Sequence, residues 1–170
     1  MLRKATVKDA KKIYELLNDY AKKGLLLPRS LNSIYENIRD FWVYEVDGQI
    51  VGCVALHVVW EDLAEIRSLA VKDELRGEGI GKELVKKTIE EAWELGVNRV
   101  FSLTYVKDFF KRFGFIEIDK SILPHKVWGE CVNCVKFPYC DEEAVLLELS
   151  EDYILNLKNQ KEFSCKSLNS

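Results

Sequence analysis

The sequence predicts an α/β domain, and three observations carry that prediction. Apolar, strand-like runs alternate with stretches whose apolar residues recur at helical spacing. Two of the strand-like runs flank Asp47-Gly48, a strong hairpin signal. Between the strand-like segment Ala64 to Val71 and an amphipathic helix stands Arg76-Gly77-Glu78-Gly79-Ile80-Gly81, a glycine-rich turn. At 170 residues the chain fits one domain with a sizeable core.

Each element follows in order. Leu2 to Lys4 reads as a short strand. Val7 to Lys22 reads as a helix with Ile13, Leu16, Leu17 and Tyr20 inward, ended by Gly24. Leu31 to Asp40 is a second helix, and Phe41 to Val46 and Ile50 to Val59 are the hairpin strands. The strand before the glycine turn leads to a helix from about Ile80 to Leu95, whose inner face holds Ile80, Leu84, Val85, Ile89, Ala92 and Trp93. Arg99 to Thr104 is a strand, Lys107 to Phe113 a short helix, and Phe115 to Ile118 a strand. Leu123 to Asp141 is irregular and bears cysteines, and Ala144 to Leu149 is the last strand. Beyond Ser150 the chain is polar with scattered apolar positions, a loose helix or a frayed tail. One domain over residues 1–150, including the loop 123–141, and a tail over 151–170 is the expected organisation. Trp42, Trp60 and Trp93 fall on apolar faces and are expected in the core.

Composition narrows the class. The chain is 48% hydrophobic and 31% charged with a net charge of -3, which describes a soluble globular protein and makes no case for nucleic acid as a partner. No apolar run approaches the ~20 residues of a membrane span, and Met1-Leu2-Arg3-Lys4 leads into a polar helix rather than a signal peptide. Five cysteines, an odd count with no sign of export, suit reduced thiols in the cytoplasm.

The glycine turn carries the chemistry. Glycines let a backbone turn its N–H groups inward, and the unpaired amides of the first helical turn add positive potential, so a strand, this turn and a helix make an anion site. A pyrophosphate suits it. A Walker loop is excluded, because Gly81-Lys82 is followed by Glu83 and the position five before Gly81 is Arg76. A dinucleotide fingerprint is excluded, because Lys82 stands where its third glycine should be. What remains is Arg-x-x-Gly-x-Gly after Leu69-Ala70-Val71, which resembles the acetyl-CoA motif of the GNAT acetyltransferases. The later Phe113-Gly114-Phe115 fits the same family over roughly residues 1 to 149. Three further stretches, Gly24 to Ser30, Phe101 to Thr104 and Leu123-Pro124-His125, look like the bacterial N-acetylglutamate synthases, in particular short forms lacking the amino-acid-kinase domain.

This resemblance implies the GNAT fold, a mixed and mostly antiparallel central sheet flanked by helices, with acetyl-CoA as co-substrate and an amino-acid acceptor. It places the pyrophosphate on amides of Arg76, Gly77, Gly79, Gly81 and Lys82, the thioester carbonyl on a backbone N–H near Leu69 to Val71, and the ring of Phe110 against the pantetheine arm. Phe110 stands where the family's usual tyrosine acid would be, so the resemblance shifts the general acid to Thr104, with Tyr105 adjacent. Thr104 is equally well read as a strand-end residue capping the next turn. Glu65 matches the synthases' proposed general base, a partly buried carboxylate acting directly or through a water. Alternatively it is a solvent-facing strand residue paired with Arg67.

Arg29, in Leu27-Pro28-Arg29-Ser30, matches the guanidinium that grips an acceptor carboxylate, with backbone groups near Leu27 and Ser68 completing the site. The longer synthases bring another arginine from the segment before the last strand. Here that segment reads Tyr139-Cys140-Asp141-Glu142-Glu143. A second partner then comes from elsewhere, with Lys126 and Lys136 as candidates, or the acceptor is glutamine-like. The leading reading is acetylation of L-glutamate at the head of arginine biosynthesis. A GNAT acting on another amine, such as a protein N-terminus, and a non-catalytic acyl-CoA-binding module remain open, as does a homodimer. His125 with Cys131, Cys134 and Cys140 invites a zinc reading. It supplies only one and a half of the usual paired hooks, so packed free thiols are expected and no metal is assigned.

Overall fold

A computed structural model describes residues 1–124 and 141–167, with side chains described as far as residue 160. Its strands are β1 (Leu2–Lys4), β2 (Phe41–Val46), β3 (Gln49–Trp60), β4 (Leu63–Val71), β5 (Arg99–Thr104), β6 (Ile116–Ile118) and β7 (Glu143–Glu148). They form one sheet in the order β1-β2-β3-β4-β5-β7-β6. Only β4 and β5 run parallel; every other neighbouring pair is antiparallel. The helices are α1 (Ala10–Lys22), α2 (Leu31–Glu36), α3 (Ile80–Glu94), α4 (Lys107–Lys111) and α5 (Glu151–Ser167).

Strand alternation sends apolar side chains to both faces. On one face Cys53, Ala55 and Ala70 pack with Ile13, Leu17 and Ile34 of α1 and α2. On the other, Val54, Leu56 and Ile66 pack with Leu84, Val85 and Ile89 of α3. The hairpin between β2 and β3 turns at Asp47 and Gly48, with φ of 50° and 78°, as the sequence required.

The expected helix from Leu31 to Asp40 is shorter. Asn37 donates its side-chain amide to the Ser33 carbonyl at 2.8 Å, which competes with the helical ladder, and the chain leaves through a 3-10 turn at Ile38–Asp40. The α1 helix also begins late, because Asp9 accepts from the Thr6 N–H and from the Arg3 guanidinium, each at 2.8 Å, and closes a 3-10 turn first. Two tryptophans are not core residues: Trp60 is 51% exposed at the end of β3, and Trp93 is 36% exposed at the edge of the α3 face. Trp42 is half-buried, with its indole N–H on Glu91 at 3.0 Å and the ammonium groups of Lys4 and Lys87 each 5.0 Å from its ring centre.

From Glu151 to Ser167 the chain is the helix α5. Its Ile154 and Leu157 join the same core cluster as Phe115 and Leu147, and the Tyr153 hydroxyl donates to the Phe113 carbonyl at 2.5 Å. Leu157→Ala should lower unfolding stability by about 2–4 kcal/mol, since a buried leucine leaves a cavity that its neighbours fill only partly. Chemical denaturation checks this; a change under half a kilocalorie would show that α5 is not part of the cooperative core. No helix among the described residues is long and apolar enough to cross a membrane.

Candidate active site

The strands β4 and β5 meet only at their beginnings. Ala64 pairs with Val100 and Glu65 with Phe101, and after these two pairs the strands part. The Ser102 hydroxyl spans the opening by donating to the Ile66 carbonyl at 2.8 Å, a role the sequence did not announce because any strand serine looks alike. Past this point no strand among the described residues lies beside that edge of β4. Its backbone groups there face a cavity of about 1040 Å³.

A bulge re-aims the same edge. The β3–β4 register shifts between Cys53 and Ala55, so two residues of β4, Ser68 and Leu69, stand against one of β3. Ser68 has φ of 58°, uncommon for a residue with a side chain, and the Cys53 thiol donates to its carbonyl at 3.4 Å. Burial pushes that thiol up to about 12, which suits packing and not reactivity. The bulge reverses the alternation: Ile66 lies under α3, but Ala70 lies against α1. Leu69 and Val71 then line the cavity. Val71 is already occupied at both of its backbone groups by Tyr20, whose hydroxyl accepts from the N–H at 2.9 Å and donates to the C=O at 2.8 Å.

The glycine turn closes one end of the cavity. Gly77 and Gly79 have φ of 87° and 84°, a backbone region where a Cβ costs roughly 1–2 kcal/mol. Gly79 is the N-cap of α3, so the first amides of that helix follow directly. Gly81 carries no such φ. A Cβ there would sit 3.7 Å from the Phe109 ring and 3.8 Å from a Val71 methyl, on the cavity wall. Phe109 is thus a wall residue beside the expected Phe110. Phe110 itself is buried, edge-on to Phe109 and Phe115 at 5.4 and 5.2 Å, and also reaches the cavity. Arg76 lies over the Tyr20 ring at 4.7 Å and pairs with Asp73 at 3.2 Å, with Lys82 nearby on the same wall. Pyrophosphate needs such amides and cations together, and the residues present fit it.

The far end of the cavity holds the acceptor candidates. Glu65 is 8% exposed rather than solvent-facing, and the Arg67 guanidinium donates to it at 3.3 Å. Ser30 caps α2 by accepting the Ser33 N–H at 3.0 Å, and Arg29, just before the cap, donates to the Ser33 hydroxyl at 3.1 Å. Leu27, Arg29, Ser68 and Thr104 all line the cavity with Glu65. The Thr104 hydroxyl accepts the Val106 N–H at 2.9 Å, the capping role the sequence also allowed, which leaves its own O–H as a donor. Tyr105 turns away, donating to Asp141 at 2.8 Å, and does not line the cavity.

Sequence reasoning missed Arg67 as a wall residue in its own right, and missed Glu142, which is 7% exposed and lines the cavity. The signal for Arg67 was its position two residues after Glu65 on one strand face. His125, Lys126, Cys131, Cys134, Lys136 and Cys140 lie outside the described residues. Among the described residues no three His, Cys, Asp or Glu side chains gather as metal ligands.

Known proteins share this fold. The model of the acetyltransferase (GNAT) family matches residues 10–115. An uncharacterized N-acetyltransferase of Chlorobaculum tepidum is 46% identical over 87% of this chain and 96% of its own length. An amino-acid acetyltransferase of Mycobacterium tuberculosis is 41% identical over 76% of each. The N-acetylglutamate synthase from Neisseria gonorrhoeae, solved with coenzyme A and N-acetyl-glutamate, superposes with a TM-score of 0.79 at 26% identity, over 89% of this chain and 35% of that one. With the parted strands, the bulge and the glycine turn in one cavity, and this match across most of the chain, the protein belongs to the GNAT family of acetyl-CoA-dependent N-acetyltransferases.

Proposed function

We propose that the protein acetylates the α-amine of L-glutamate, with L-glutamine as a second acceptor, as the first step of arginine biosynthesis in the cytoplasm. The observation that carries the reading is Glu65, buried where β4 parts from β5 and in one cavity with Arg29. The names of the relatives, amino-acid acetyltransferase and N-acetylglutamate synthase, support the same acceptor class.

Transfer is direct, within a ternary complex. Glu65 takes a proton from the acceptor ammonium, and the freed amine attacks the thioester carbonyl, held on a β4 amide near Leu69. The new C–N bond forms as the C–S bond breaks. Thr104 donates its O–H to the departing sulfur, which leaves as the free thiol, and the hydroxyl is restored by the second proton that the acylated nitrogen sheds, so the product amide keeps one N–H. Glu65 keeps the proton from the amine until solvent removes it.

Arg29 holds an acceptor carboxylate, and the stiff Pro28 ahead of it limits the loop. The segment before the last strand, Tyr139-Cys140-Asp141-Glu142-Glu143, brings no second arginine to grip a side-chain carboxylate, so an amide can stand in its place. L-glutamine should therefore be turned over beside L-glutamate. An acetylation assay across the proteinogenic amino acids tests the assignment. Arg29→Lys keeps the charge but loses the planar fork, so acceptor KM should rise about tenfold with CoA affinity intact. Equal turnover of uncharged apolar amino acids, with selectivity unchanged in Arg29→Ala, would remove the synthase assignment.

A further inference from the structure

The buried pair Glu65–Arg67 has a geometry that the transfer step alone does not use. The two side chains are only 11% and 9% exposed, and their facing atoms are 3.3 Å apart on the cavity wall. A buried ion pair adds little to folding stability, because desolvation offsets most of its Coulomb energy. Its value in a wall is as a fixed pair of opposite charges. Arg67 stands across the β3–β4 ladder from Ala55, a small neighbour that leaves room for a guanidinium beside the strand. Ile66 between them belongs to the α3 core, so regular strand alternation sends both odd-numbered side chains, 65 and 67, to the opposite face before the bulge at Ser68 breaks the pattern.

We propose that Arg67 receives the α-carboxylate of the acceptor, so that Glu65 and Arg67 together recognise the zwitterionic head of a free α-amino acid. This rests on the amino-acid reading above and specifies which end of the acceptor sits where. In an α-amino acid the ammonium nitrogen and a carboxylate oxygen are about 3 Å apart, as the N–Cα and Cα–C bond lengths dictate. That matches the 3.3 Å between the carboxylate and guanidinium atoms of the pair. Carboxylate meets ammonium and guanidinium meets carboxylate, two antiparallel dipoles in one water-poor corner. Once the amine must approach Glu65, its own α-carboxylate is carried to within reach of Arg67. Arg29, on a separate loop, is then left for the distal end of the side chain. A protein N-terminus or a simple amine has no carboxylate on the carbon bearing its nitrogen and fills only half of this receptor. The substrate class is free α-amino acids.

The test compares each free acid with its α-carboxamide: L-glutamate against L-isoglutamine, and L-glutamine against L-glutamine α-amide. Arg67→Met should lower kcat/KM for the free acids by about 10²-fold, the usual consequence of leaving a desolvated carboxylate without its partner. The α-amides, which never used the guanidinium, should lose at least about tenfold less than their free acids. Any effect of the substitution on Glu65 as a base falls on acid and amide alike and cancels in the ratio. Calorimetry with CoA reports whether the variant is folded. Should Arg67→Met bind no CoA, Arg67→Lys is read by the same ratio, with about a tenfold selective loss expected. An equal loss on acids and amides, or no loss on either, overturns the role of Arg67. If the wild-type protein acetylates none of the four compounds, it is the acceptor assignment under the proposed function that fails.

Discussion

Glu65→Gln is expected to lower acetyl transfer by ~10²–10⁴-fold while leaving CoA affinity intact, the range typical for removal of a positioned general base. Glutamine preserves the shape of the side chain and keeps an oxygen that can accept from Arg67, which in the native protein donates at 3.3 Å. Packing is therefore retained and only proton acceptance is lost. The substituted side chain is distant along the cavity from the glycine turn, so calorimetry with CoA should be unchanged. The pH dependence supplies a second readout. A base acts only when deprotonated, so the native rate falls as pH drops through its ionisation, and this acidic limb should vanish in the variant. The imidazole of His57 stands across the ladder from Glu65, held by Asp40 at 2.7 Å. His57→Gln should keep the limb if Glu65 is the group responsible. Near-normal turnover in Glu65→Gln with an unaltered profile would make Glu65 a structural partner of Arg67 and nothing more.

Substituting both Gly79 and Gly81 by valine should weaken CoA binding by about 10²-fold or more, through loss of charge-assisted hydrogen bonds to the turn. The two glycines act for different reasons. Gly79 sits at φ of 84°, where a β-branched residue is strained, so its replacement distorts the entry to α3. Gly81 has an ordinary conformation, and its Cβ would meet Phe109 and Val71 at no closer than 3.7 Å. The fold accommodates a small side chain there, but a ligand approaching the backbone does not. Gly81→Ala is accordingly the cleaner probe: thermal stability should be retained while CoA affinity falls about tenfold. Unchanged affinity in the double valine variant would move the pyrophosphate off this turn.

The hairpin at Asp47-Gly48, the long helix after the glycine turn and the termination of α1 were all readable from the chain itself. Each depends on a residue's own backbone preference or on a period of 2.0 or 3.6, and such signals are local. The order of nominated positions, from Leu27 to Phe110, likewise came from motifs within a few residues of one another, and the fold brings all of them but Tyr105 to one cavity. Local pattern failed where a side chain had a choice of partner. Asn37 shortened a helix by bonding to Ser33, and Trp60 stayed in solvent because β3 outruns the layer that covers it. Three features of the site depended on tertiary structure alone. The parting of β4 from β5 is set by the packing of whole strands. The reversal of alternation at Ser68 is set by a register shift against β3. The hold of Tyr20 on Val71 joins residues 51 positions apart. Sequence by itself, through its motifs and the family they resemble, nominated the residues for acetyl transfer, because chemistry and local geometry reside in residue types. Which of them face one another, Glu65 with Arg67 above all, was decided only when burial forced distant segments to share the same space.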